Sequence, residues 1–209
     1  MEALDLPGHG STRMPISEIS LQAYADHVCG VLDDQAQPAI LVGHSMGGVV
    51  ISQAAEYRPE KVKILVYLAA FLLQNGESLS QVFDGDTDSL LTPNVVLSED
   101  QSYLTVREEA IKEIFYADCS VEDVVRAKSL LVPQAIAPAT TPINITEENF
   151  GRIPRVYIET LRDRVISPAL QKQMYTTLKC QKVISMGTSH SPFFSAPEEL
   201  VAHLTSMML

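Results

Sequence analysis

Residues 38–57 read PAILVGHSMGGVVISQAAEY: a short apolar run passes through Gly-His-Ser-Met-Gly directly into a helical pattern. No other stretch constrains the fold as strongly. An apolar run without polar alternation is the mark of a strand covered on both faces, and such strands belong to parallel sheets with helices above and below. Gly-x-Ser-x-Gly by itself arises in a chain of this length roughly 0.07 times by chance. Flanked by a buried strand and a helix, it becomes a sharp strand-to-helix turn that lifts Ser45 above the sheet edge. Gly43 and Gly47 are expected to be glycine because side chains there would crowd such a turn.

The rest of the chain repeats this alternation. Residues 2–6 read as the tail of a strand closed by the turn PGHG. Ser20 is a candidate N-cap for a helix reaching Asp33 or Asp34, with Leu21, Tyr24, Val28, Val31 and Leu32 on one face. Strands are predicted at 38–43, 61–70, 155–160 and 182–186, and helices after Gly43, after Ser167-Pro168 and from Ser195, whose spacing to Glu198 suggests a capping box. Between Phe71 and Ile153 the alternation fails, leaving helical patches near 107–116 and 120–131 and the proline-rich VPQAIAPATTP. The expected class is therefore α/β, with a mostly parallel core built from 1–70 and 154–209 and a mainly helical cap or lid at 71–153.

The chain has 209 residues, of which 46% are hydrophobic and 20% charged, enough to bury a core. A formal charge of −11 sets up a field that repels phosphate backbones and anionic lipid, which argues against nucleic acid and membrane as partners. The three cysteines, Cys29, Cys119 and Cys180, are odd in number and widely spaced, with no zinc-site spacing, as suits a reducing compartment. The longest apolar run, ILVYLAAFLL at 64–73, is half of the ~20 residues a bilayer span needs. The opening MEALDLPGHG has no basic stretch followed by an apolar run, so a soluble, cytoplasmic protein is expected.

A serine is a poor nucleophile unless an oriented base takes its proton. On this type of sheet the acid and the histidine follow the serine in that order. ETLRDRVISP places Asp163 just beyond the strand 155–160, and GTSHSPFF places His190 just beyond the strand 182–186. Both fall on the carboxyl edge, where ligands of open α/β sheets bind. Glu159 is a rival acid, held less mobile inside its strand. The Met46 amide, at the start of the helix after the elbow, is placed to help hold an oxyanion. His9, Phe71, Phe193 and Phe194 are candidates for the pocket. His44 precedes the nucleophile inside the elbow. His27 and His203 lie on predicted helices, and His27 with Cys29 is no metal pair because residues two apart do not share a helix face.

Together DLPGHG, ILVGHSMGGVVISQAAE, VYLAAFLLQNGES, RVYIETLRDRVISPALQ and SHSPFFSAPEEL resemble the α/β-hydrolase superfamily, and within it the methylesterase and hydroxynitrile-lyase group. The resemblance implies Ser45 as nucleophile, His190 as general base and Asp163 as its orienting acid, with no metal and no organic cofactor. The lyases place a lysine after the histidine; this chain has Ser191, which favours hydrolysis of a small-molecule ester. Met46 is shared with cofactor-free haloperoxidase-like esterases, which leaves perhydrolysis open as a side activity.

In the family resembled, a strand ending in a His-Gly loop precedes the DLPGHG segment and supplies a second oxyanion amide; this sequence starts after that point. Loss of one oxyanion donor costs about 10²- to 10³-fold in rate. An absent central strand leaves backbone groups unpaired and invites association, so that a homo-oligomer is one expectation. A fragment, a late start or a shortened isoform is expected, or else residues 1–6 fill the gap. The rival functional readings are a non-catalytic small-ligand-binding protein and an inactive truncated hydrolase on the same fold.

Overall fold

The computed structural model describes residues 2–207. In the first part of the chain, α1 (Leu21–Asp33) is followed by β1 (Ala39–Ser45), α2 (Gly47–Tyr57) and β2 (Val62–Ala70). The inserted segment then contributes α3 (Leu79–Asp84), β3 (Val95–Leu97), β4 (Tyr103–Val106), α4 (Ile111–Phe115), α5 (Val121–Leu130), β5 (Gln134–Ala135) and α6 (Ala137–Thr140). The chain closes with β6 (Arg155–Thr160), α7 (Pro168–Thr177), β7 (Lys182–Met186), α8 (Pro192–Ser195) and α9 (Pro197–Ser206).

β1, β2, β6 and β7 form one parallel sheet in that order. Past Lys63, which is exposed near its start, β2 is apolar, and alternation along it shows why. Leu65 and Tyr67 point into the larger core with α1, α2 and α7, while Val66 and Leu68 point into a smaller one closed by Leu200 of α9. A strand of this kind has no wet face, so polar alternation would bury unpaired groups. The helices start where the sequence provides acceptors: Ser20 Oγ accepts from Ala23 N at 3.0 Å, and Ser167 Oγ from Leu170 N at 3.1 Å. Each satisfies one orphan donor of a first turn.

Two expectations about secondary structure are corrected. Residues 2–6 form no strand; Leu4 and Leu6 instead pack onto the larger core, and Met1 lies outside the described residues. Among the described residues β1 therefore pairs with β2 alone, and Val42 on it is 42% exposed. Ser195 does not cap the last helix. It ends α8, and Ala196, with φ −147° and ψ 54°, breaks the chain before α9 restarts at Pro197, so that Ser195 Oγ is left without a partner. The inserted segment also carries the small antiparallel sheet β3-β4-β5 beside its helices, whose strands of two to four residues are too short to show a period.

The turn after β1 explains one of the two glycines. A Cβ on Gly43 would lie 2.5 Å from the Gly47 carbonyl oxygen, whereas a Cβ on Gly47 would meet nothing within 4 Å. The second crowded position is Gly48, whose Cβ would run into the Phe71 carbonyl. Gly43→Ala is accordingly expected to destabilise the fold by about 1–3 kcal/mol through overpacking. Gly47→Ala, at the first position of α2, should be nearly neutral. Urea unfolding of the two variants against the parent checks this, and equal midpoints for both would refute the steric assignment.

Candidate active site

Because the four strands are parallel, the carboxyl ends of β1, β6 and β7 open onto one edge of the sheet. Ser45 ends β1 with φ +54°, a left-handed conformation that a non-glycine residue rarely adopts and that turns the chain abruptly into α2. Its carbonyl accepts from Phe71 N at 3.1 Å, tying the turn to the segment after β2. Met46 stands at the N-terminal boundary of α2, where unpaired amides and the helix dipole favour negative charge.

Asp163 and His190 meet as the spacing predicts. His190 Nδ1 lies 2.8 Å from Asp163 Oδ2, and both side chains are buried. The carboxylate is fully engaged: Oδ2 also accepts from Thr160 Oγ1 at 2.7 Å and Gln171 Nε2 at 3.2 Å, and Oδ1 from the amides of Val165 and Ile166 at 2.8 and 3.0 Å. Burial pushes the Asp163 carboxyl up, but the His190 imidazole and the surrounding donors outweigh it and leave it below its ordinary value. An ionised carboxylate has no proton to give, so Nδ1 must donate. The neutral imidazole is then protonated at Nδ1, with the Nε2 lone pair free.

β7 lies three strand spacings from β1, about 14 Å, yet the loop after β7 returns across the sheet edge to the serine turn. The His44 and His190 rings stand 4.5 Å apart, and His44 Nε2 lies 2.8 Å from the His190 carbonyl oxygen, to which it donates. Burial and the neighbouring His190 imidazole push His44 down to about 3, which keeps it neutral. Ser45 Oγ makes no hydrogen bond among the described residues. Such contacts in unliganded sites commonly tighten only when substrate binds.

Ser45 and Met46 open into a cavity of about 760 Å³, lined also by His9 and Phe71 and by apolar residues of the inserted segment such as Phe83, Leu91, Val106, Ile111 and Phe115. Polar residues are fewer, among them His9, Asp84, Thr105 and Gln134. Gln134 Nε2 donates to the Tyr24 hydroxyl at 3.3 Å, freeing that hydroxyl to donate to His9 Nε2 at 2.9 Å. Burial lowers the His9 imidazole below its ordinary value, which favours its neutral form.

Of the expected pocket residues, His9 and Phe71 line the cavity; Phe193 and Phe194 do not. Phe193 packs edge-on against the His44 ring at 5.0 Å and is 39% exposed, and Phe194 packs against Tyr116. Closeness to His190 in sequence does not put them on its cavity side, because α8 carries the chain outward. Glu159, the rival acid, is engaged elsewhere, accepting from Ser185 Oγ at 2.6 Å and Tyr175 OH at 3.2 Å. The contributions of Thr160 and Gln171 had no sequence signal. Among the described residues no cluster of metal-ligating side chains occurs, and no helix is long and apolar enough to cross a membrane.

The sequence profile of the alpha/beta hydrolase family matches residues 2–203, and the chain belongs to that family. It is similar to a pyrethroid hydrolase of Sphingobium wenxiniae, with 32% identity covering 96% of this chain and 74% of the relative. It is also similar to a chloroplastic Arabidopsis thaliana protein named as methylesterase 11, with 30% identity covering 95% of this chain and 54% of the relative. The chain thus spans about half the length of such chloroplastic relatives. Among solved structures, a pyrethroid hydrolase from Sphingobium faniae superposes with a TM-score of 0.86 at 29% identity, covering 97% of this chain and 83% of that one.

Proposed function

We propose that this chain is a serine hydrolase of apolar carboxylic esters. The observation that carries the reading is the buried Asp163–His190 pair, brought to the same sheet edge as a strained serine that opens into an apolar cavity. Ser45 Oγ attacks the ester carbonyl carbon while His190 Nε2 takes the hydroxyl proton and Asp163 holds the imidazole in the tautomer that can accept it. The Met46 amide stabilises the oxyanion. Collapse of the tetrahedral intermediate breaks the bond to the alkoxy group, which leaves as an alcohol with the proton from His190. Water, deprotonated by His190, then releases the acid and restores Ser45. The inserted segment serves as the cap that shapes the acyl or alcohol pocket, and the relatives named for pyrethroid and methyl ester hydrolysis support an ester as substrate.

Intact mass before and after exposure to a fluorophosphonate tests this. A single adduct is expected on the parent and none on Ser45→Ala, with turnover of an activated ester lost in the same variant. A folded parent that takes no adduct would overturn the reading and leave the cavity as a ligand-binding site.

A further inference from the structure

The loop joining α4 to α5, in the inserted segment, carries a carboxylate that reaches both halves of the acid–base pair. Asp118 Oδ2 accepts from the backbone N–H of Ser189 at 2.7 Å, and Asp118 Oδ1 accepts from the Ser189 hydroxyl. Asp118 Oδ2 also pairs with Arg162 Nη2 at 3.3 Å. Ser189 directly precedes His190 and Arg162 directly precedes Asp163. One side chain from a part of the chain 44 residues before Arg162 and 71 before Ser189 is therefore bonded to the immediate neighbours of the acid and of the base.

The arrangement is rigid at its source. Tyr116 N bonds back to Lys112 O at 3.0 Å at the end of α4, and Ser120 caps α5 by accepting from Asp123 N at 3.0 Å, so the intervening loop is tied at both ends. Tyr116 is buried against Phe194 just beyond His190. Phe115 stacks obliquely on the His190 ring, with centroids 6.0 Å apart.

The two kinds of contact differ in weight. Arg162 is 63% exposed, and an ion pair in that setting is worth little. Ser189 is 1% exposed, so its N–H and hydroxyl depend on Asp118 for their acceptor, and removing a buried acceptor leaves those donors unsatisfied. The loop relaxes to recover them, and His190 moves with it.

We infer that Asp118 is a positioning residue for the acid–base pair, holding the inserted segment and the two catalytic loops in one geometry; the inference rests on the hydrolase reading above. Asp118 touches neither substrate nor a reacting atom. It acts chiefly through Ser189 on the placement of His190 Nε2 relative to Ser45; the exposed Arg162 pair adds little.

The test measures, for the parent, Asp118→Ala, Asp118→Asn and Ser189→Ala, the rate constant of fluorophosphonate labelling per labelled site, kcat and KM for a p-nitrophenyl ester, and the melting temperature. Asp118→Ala is expected to lower kcat and the per-site labelling rate together by about 10²-fold, the cost of misplacing a catalytic group by about 1 Å, with KM nearly unchanged. Asp118→Asn should recover part of the loss, because its carbonyl still accepts from the Ser189 N–H. Ser189→Ala, which removes only the hydroxyl, should lose less than Asp118→Ala. A lower labelled fraction or melting temperature with the per-site rate kept at the parent value would make Asp118 structural only and overturn the inference. If Asp118→Ala does not fold, Asp118→Asn and Ser189→Ala decide, and parental rates in both overturn it. A folded parent that is inert to the phosphonate overturns the hydrolase reading and this inference with it.

Discussion

Asp163→Asn is expected to lower kcat by about 10⁴-fold while the protein stays folded. The size of the loss follows from the placement of the five donors around the carboxylate. The Val165 and Ile166 amides fix what sits at Oδ1, so the asparagine carbonyl takes that place and its NH₂ is forced to the Oδ2 side, against His190 Nδ1. An NH₂ donates where the carboxylate accepted, so Nδ1 must become the acceptor and the ring proton moves to Nε2. In that tautomer His190 has no lone pair for the Ser45 proton. The fold survives because Thr160 has a rotatable hydroxyl and Gln171 keeps its bond to the Ile166 carbonyl at 2.8 Å. Steady-state kinetics with a melting curve checks both halves, and a loss of less than tenfold would show that Asp163 does not set the tautomer.

The site's chain order was readable because its strands were. Residues 155–160 and 182–186 carry enough consecutive β-forming residues to be bounded from sequence, and the observed strands have the same limits. Once both ends are known, parallel topology alone puts the residues after them on one edge. Ser20 and Ser167 were legible for a similar local reason, since a cap is a relation between residues three apart. The groups that were not legible act over long separations in sequence. Asp118 reaches Ser189 across 71 residues, and nothing in YADCS distinguishes its aspartate from any exposed loop carboxylate. Gln171 has the spacing of an ordinary helix residue; only its burial beneath Asp163 gives it a role. Phe193 and Phe194 err in the opposite sense, because proximity to His190 along the chain carried no information about the direction in which α8 leaves the sheet edge.

Neutrality of His44 links this site to the stability of the whole chain. Its ring is wedged between the His190 ring and the edge of Phe193, and its Nε2–H is committed to the His190 carbonyl. Burial and the adjacent imidazole hold it at about 3 in the folded protein, whereas the unfolded chain takes up the same proton near 6.5. Between those two values the unfolded state binds more protons, so stability falls as pH falls, starting near 6.5 and ending near 3. At pH 4.5 about two of those pH units apply, a loss of about 3 kcal/mol from this group alone. His9, also lowered by burial, acts in the same direction below its ordinary value. Asp163, whose carboxyl is held below its ordinary value, adds stability that is present above the normal carboxylate range and lost only as pH falls through its own lowered value. Urea unfolding at pH 7.5 and 4.5 should therefore show a clear drop for the parent and a smaller one for His44→Gln, whose amide still donates to the His190 carbonyl but does not titrate. Equal drops in the two proteins would mean that His44 protonates without cost, and would remove it as a source of acid sensitivity. The same neutrality serves the proposed chemistry, since an imidazolium at His44 would oppose the positive charge that His190 must accept from Ser45.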